Sequence, residues 1–138
     1  MKQTTFFAPE LVIDNGITDV NFYEKAFGAV ELRRFSNDDG TIHVSELEIG
    51  GALFHLHEVT SNYSSCPLKL AGTTVIIGLF VDDVDAVITS ALEAGATLRS
   101  PAQDYFYGYR QGQIVDPHGH RWQIQKRIPE TEQTDENA

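Results

Sequence analysis

The chain of 138 residues has a single cysteine, Cys66. No disulfide can form within one chain, and a lone thiol suits a reducing compartment, so a cytoplasmic location is expected. Cations are scarce as well. Ten Lys and Arg stand against 20 Asp and Glu, for a net charge of −10. Arg33-Arg34 and Lys126-Arg127 are isolated pairs rather than a stripe, so a nucleic-acid partner is not expected, because phosphate binding needs clustered cations. No apolar run approaches the roughly 20 residues of a membrane helix, and the start, MKQTTFFAPELVIDNG, does not read as a signal peptide. Nucleophile-base arrangements, phosphate loops and paired catalytic carboxylates are missing too. The acidity argues against anionic partners and tilts the expectation toward neutral or cationic small molecules, with a plain interaction module as a further alternative.

What is present is a pattern that occurs twice. FFAPELVI (residues 6–13) reads as a strand, GITDVNFYEKAFG as a helix capped by Asp14 or Asn15 and stopped by Gly28, and AVELRRF, IHVSELEI and ALFHLHEV as three strands. TVIIGLFV, VDAVITSALEAG, ATLRSP, YRQGQIVD and HRWQIQKR repeat that order. The repeat predicts an α+β domain over 1–128. Its first βαβββ module covers about 5–60, a linker 61–72, and its second module about 73–128, followed by a disordered acidic tail at 129–138. Two such units are expected to curve mixed sheets around a cavity with helices on the outer faces.

The segments NGITDVNFYEKAFGAVE, VDDVDAVITSALEAGAT and GYRQGQIVDPHGHRWQIQ resemble the vicinal oxygen chelate superfamily, and within it the PhnB-like, glyoxalase-like branch. The superfamily includes glyoxalase I, bleomycin-resistance proteins, fosfomycin-resistance enzymes and extradiol dioxygenases. The resemblance implies metal ligands at four inward strand positions, usually histidine or glutamate for Zn, Ni, Mn or Fe. Carried onto this chain, those positions are Ala8, His55, Ile76 and Gln123. Only His55 is a good ligand, so the inherited site is absent or rebuilt.

Alternation along FHLHE places His55 and His57 on one strand face. They line a polar cavity, form a metal dyad or lie exposed near the strand's end. A third ligand would have to come from Glu10, two residues past Ala8, or from His43 or Glu46 on the neighbouring strand. Gln123, Ile76 and Phe80 are expected on the second module's inward face, and QDYFYGYRQG is read as a loop whose Phe106, Tyr107, Tyr109 and Arg110 close over a ligand or pack at an edge. His118 is expected in a turn facing solvent, His120 serves turn geometry, and Trp122 and Ile124 are core. The residues therefore favour a bleomycin-resistance-like protein that binds a hydrophobic or cationic aromatic compound without a cofactor, and lean away from an enzyme. The alternative is a metal-dependent lyase or dioxygenase with a site rebuilt from His55, His57 and Glu10 or Glu46. A homodimer is expected in either case.

Overall fold

The computed structural model describes residues 2–63 and 65–132. The first module consists of β1 (Glu10–Ile13), α1 (Asn21–Phe27), β2 (Val30–Ser36), β3 (Ile42–Ile49) and β4 (Ala52–Glu58). The second consists of β5 (Ile76–Phe80), α3 (Val84–Glu93), β6 (Thr97–Tyr105), β7 (Tyr109–Val115) and β8 (Arg121–Arg127). Between them the linker holds a short helix, α2 (Pro67–Leu70), which the sequence pattern does not signal beyond a proline at its first turn. Each module forms a mixed four-stranded sheet, ordered β1-β4-β3-β2 and β5-β8-β7-β6, with its first strand parallel to its last. The α+β architecture of two βαβββ modules is the one the repeat predicts.

Local chemistry moves several boundaries. β1 starts at Glu10 rather than residue 6, because Pro9 has no N–H to give to a ladder. Phe6 and Phe7 are exposed ahead of it, and Ala8 lies outside the strand. Neither Asp14 nor Asn15 caps α1. The helix starts later, where the Asp19 carboxylate accepts from the Asn21 N–H at 3.0 Å, and it ends on Gly28 at φ 67°. α3 is capped by Asp83, whose carboxylate accepts from the Ala86 N–H at 3.0 Å. β6 runs through Pro101 to Tyr105 instead of ending at the proline. It is an edge strand, and its register shifts between Ser100 and Gln103 absorb the missing donor. QDYFYGYRQG is thus mostly two strands joined by a tight hairpin.

Of the expected tail, the Thr131 N–H donates to the Phe106 carbonyl at 3.0 Å, which holds this part on the β6–β7 hairpin. Residues 133–138 lie outside the described residues.

The modules share one apolar core. Leu11, Ile13, Leu47, Phe54 and Leu56 of the first sheet join Ile114, Trp122 and Ile124 of the second, with Tyr23, Ala26, Val84, Ile88 and Ala91 from the helices. α1 packs along α3. Phe27 stands 4.7 Å from Trp122, and Phe54 meets Trp122 edge-on at 5.8 Å. Asp116 ties the halves together: its carboxylate accepts from the Tyr23 hydroxyl at 2.8 Å and the Trp122 indole at 2.9 Å. His120 adds a second tie, its Nε2–H donating to the Val12 carbonyl at 2.8 Å. The helices are therefore not outer covers. They join the core common to both modules, since an apolar helix stripe gains most by burial against another apolar face. The polar side of each sheet is left open.

Candidate functional site

Pairing aligns the open side of the first sheet into rows. Glu10, His55, Glu46 and Arg33 form one row across four strands, and Val12, His57, Val44 and Phe35 form the next. Because β1 pairs in parallel with β4, Glu10 comes directly beside His55 and one pleat from His57. The Glu10 Oε1 lies 3.4 Å from both His55 Nδ1 and His57 Nε2, and one donor atom from each of the three residues falls within 4.8 Å of the others. The two rings are largely buried, while the Glu10 side chain is 49% exposed. Tyr63 closes one side, its ring centre 4.8 Å from that of His57.

These residues fit a divalent ion. Donors about 2.0–2.1 Å from a tetrahedral ion stand about 3.3–3.4 Å from one another, and both Glu10–His separations match. A separation of 3.4 Å is too long for a good hydrogen bond. Among the described residues, His55 Nε2 and His57 Nε2 are buried without a hydrogen-bond partner, which is unusual for buried nitrogens.

The other candidates do not join. Glu46 turns to Arg33, 3.7 Å away. His43 Nδ1–H donates to Glu58 at 2.8 Å, within a cluster in which Asn15 and Asn37 also donate to that carboxylate, each at 2.9 Å. The Asn37 hydrogen bond holds the Glu58 carboxyl below its ordinary range. Burial opposes it, and Asn15 and His43 add to it.

The second sheet repeats the register with different chemistry. The shift that carries His55 onto Gln123 carries His57 onto Gln125 and Glu10 onto Gly78, and the pairs Gly78–Gln123 and Phe80–Gln125 mirror Glu10–His55 and Val12–His57. Here the amides satisfy one another. Gln113 Nε2 donates to Gln123 Oε1 at 3.0 Å, Gln123 Nε2 donates to Gln125 Oε1 at 2.9 Å and to Gln111 Oε1 at 3.2 Å, and Arg121 Nη2 donates to Gln113 Oε1 at 3.0 Å. The Gln125 amide fills the space beside Gly78, where an added Cβ would meet its Nε2 at 2.7 Å. Ile76 and Phe80 are exposed on this face. Phe80 packs edge-on to Tyr109 at 5.9 Å, and Arg127 stacks over Phe80 at 5.3 Å.

Two expected positions are corrected. Arg110 is not on the ligand face with Tyr109. Alternation turns it toward α3, where Asp85 takes Nε at 2.9 Å and Nη2 at 2.8 Å and Asp104 takes Nη1 at 2.9 Å. These hydrogen bonds raise its pKa further and lower that of Asp85. His118 does not face solvent freely but stacks on Tyr23 at 6.0 Å, where burial lowers its pKa. Phe106 and Tyr107 sit in the hairpin turn, edge-on to each other at 5.5 Å.

Beside β1, on the flank away from β4, lies a groove of about 600 Å³. Glu10 lines it together with Pro67, Leu70, Val75 and Ile77. Nothing in the sequence pattern marks Leu70 or Val75 for this position, because the groove exists only where the linker crosses between the two modules.

The sequence model of the Glyoxalase/Bleomycin resistance protein/Dioxygenase superfamily matches residues 18–124. An uncharacterized protein of Mycobacterium tuberculosis H37Rv is 39% identical over 127 residues, covering 89% of this chain and 75% of its own length. The crystal structure of TioX from Micromonospora sp. ML1 superposes with a TM-score of 0.65 at 26% identity, over 93% of this chain and all (100%) of that one. A gene product of Arabidopsis thaliana does so with a TM-score of 0.65 at 27% identity, over 88% and 98%. The fosfomycin resistance protein FosX of Listeria monocytogenes shares the fold, with a TM-score of 0.65 at 16% identity over 91% and 94%. With a family match across residues 18–124, most of both modules, the chain belongs to the glyoxalase/bleomycin resistance protein/dioxygenase superfamily.

Proposed function

We propose that this protein binds an oxygen-bearing small molecule on the open face of its first module, and that Glu10, His55 and His57 hold a divalent metal ion there. One observation carries the reading: a carboxylate oxygen lies at ligand-to-ligand spacing from two histidine nitrogens of the adjacent parallel strand, all three atoms fall within 4.8 Å of one another, and among the described residues no good hydrogen bond joins them. Two imidazoles and one carboxylate suit Zn, Ni, Mn or Fe. A bound ion would supply Lewis acidity, polarising a carbonyl or accepting neighbouring oxygens of the ligand. The protein's own part is to fix the two rings on a paired strand, to pack Tyr63 against His57, and to leave Glu10 open for ligand approach. The site lies within one module, where the resemblance would put ligands from both. The motifs Phe22-Tyr23 to Ala29 and Tyr109 to Trp122 support a PhnB-like assignment.

A second copy of the chain is a reasonable cover for the open faces. The first carries Glu10, Glu46 and Glu48, the second Arg121 and Arg127, and Phe35, Ile76 and Phe80 are exposed between them. This homodimer is tested by sedimentation.

The metal-free reading retains support of its own. Ile76 and Gln123 cannot replace the missing ligands, and Tyr105, Tyr107, Tyr109 and Phe80 form an aromatic ladder beside the glutamines. A hydrophobic or cationic aromatic compound would stack there. Metal titration of untagged protein separates the two readings. One equivalent bound by the native chain and lost in His57→Ala supports the metal site. No stoichiometric metal, together with a melting-temperature rise on adding cationic aromatic compounds, supports the other.

A further inference from the structure

We infer that the ligand is amphipathic: its oxygen-bearing head meets the Glu10–His55–His57 cluster while an uncharged hydrocarbon body lies in the groove on the far flank of β1. The inference rests on the metal-site reading and names the class of molecule that site takes. β1 is a single strand with β4 on one flank and the groove on the other, so Glu10 belongs to both the cluster and the groove wall. A volume of about 600 Å³ is that of a small-molecule pocket rather than of a single side chain.

The charge pattern specifies what the groove accepts. In a chain with 20 Asp and Glu and 10 Lys and Arg, the groove wall carries, among the described residues, one carboxylate, Glu10, and no Lys or Arg. The one imidazole in the wall, His120, already gives its Nε2–H to the Val12 carbonyl. The Thr73 hydroxyl is engaged by the Val75 N–H at 3.3 Å. Ser65 and Thr74 add two uncharged hydroxyls to the wall, while Pro67, Leu70, Val75 and Ile77 supply much of its apolar contact, and Leu70 and Val75 are 68% and 64% exposed. Apolar side chains exposed around one end of a polar cluster gain by covering with hydrocarbon, and the absence of cations gives an anionic tail nothing to pair with.

The test uses alkyl hydroxamates as probes, since their two adjacent oxygens chelate a metal while the chain length is varied. Acetohydroxamate and octanohydroxamate are titrated into the zinc-loaded full-length protein, with zinc retention checked by elemental analysis. Each methylene fully buried strengthens binding roughly fourfold, so burial of half of the added chain gives roughly a 60-fold advantage to the octanoyl probe. Leu70→Asp and Val75→Asp, both exposed positions outside the cluster, should cut that advantage to less than about fivefold and leave acetohydroxamate binding unchanged. Acetohydroxamate binding with no chain-length dependence would overturn the groove assignment and leave the metal site standing. Failure of the protein to retain zinc would overturn the metal-site reading instead, and zinc-retaining protein that binds neither probe would overturn the amphipathic ligand. If Val75→Asp changes the sedimentation coefficient to that of a smaller assembly, the groove is a contact between copies of the chain, and the amphipathic ligand is excluded.

Discussion

In the first module, a parallel strand pair sets the Glu10 carboxylate 3.4 Å from nitrogens of His55 and His57, and among the described residues the Nε2 atom of each ring is buried without a hydrogen-bond partner. In the second, the same pair of strands in the same register presents Gly78, Gln123 and Gln125, with the two amides hydrogen-bonded to each other. The backbone is repeated and the chemistry is not. An amide donates and accepts, so a patch of glutamines can satisfy itself. Two imidazoles lie 3.4 Å from one carboxylate oxygen without closing a network of that kind among the described residues, which is the difference that the proposed metal site rests on. A shared fold thus provides the places, while the side chains decide whether a place demands a ligand.

The strongest way to break this contrast is to remove a histidine. His57→Ala should weaken metal binding by more than about a hundredfold, because a three-donor site loses a first ligand, whereas Gln125→Ala should leave it unchanged; calorimetric titration checks both. The contrast can also be erased from the other side. Gly78→Glu, Gln123→His and Gln125→His together should raise the metal stoichiometry from one to two equivalents per chain. The backbone at Gly78 has no positive φ, and the only close neighbour of an added Cβ is the flexible Gln125 amide that the design replaces.

Smaller effects separate the open faces from the core beneath them. Asp116→Ala removes the acceptor for the Tyr23 hydroxyl and the Trp122 indole and should cost about 3 kcal/mol in a denaturant melt, with metal affinity intact. Glu58→Ala should cost about 1–2 kcal/mol by freeing Asn15, Asn37 and His43. The Glu58 carboxyl has a folded pKa below its ordinary value, so its contribution is present above that ordinary value and is lost as pH falls through the lower folded one. The native chain should therefore lose stability toward acid more steeply than Glu58→Ala, as read by melting temperature against pH.

The two modules, the hairpin at Gly50-Gly51 and the common strand face of His55 and His57 were all legible in the chain. Each rests on a local period or a turn residue that needs no distant partner. The start of β1 was not, because Pro9 decides it and an apolar run on either side hides the break. Arg110 was misread for a similar reason. Its loop is a strand pair, so alternation and the distant Asp85 determine its direction. His120 gave no sequence sign of its bond to Val12, more than a hundred residues away along the chain.

By itself, the sequence determined the repeat, the strand faces and the set of chemical groups available to a site, since these follow from neighbours along the chain. It also named Glu10 as one of several possible partners for the histidines. Only the tertiary structure decided among Glu10, His43 and Glu46, because the choice depends on which strand lies next to β4 and in what register. Parallel pairing of β1 with β4 brought Glu10 to both rings, Arg33 drew Glu46 away and Glu58 took His43. The burial of both helices in one core then left that cluster on an open face, within reach of a ligand.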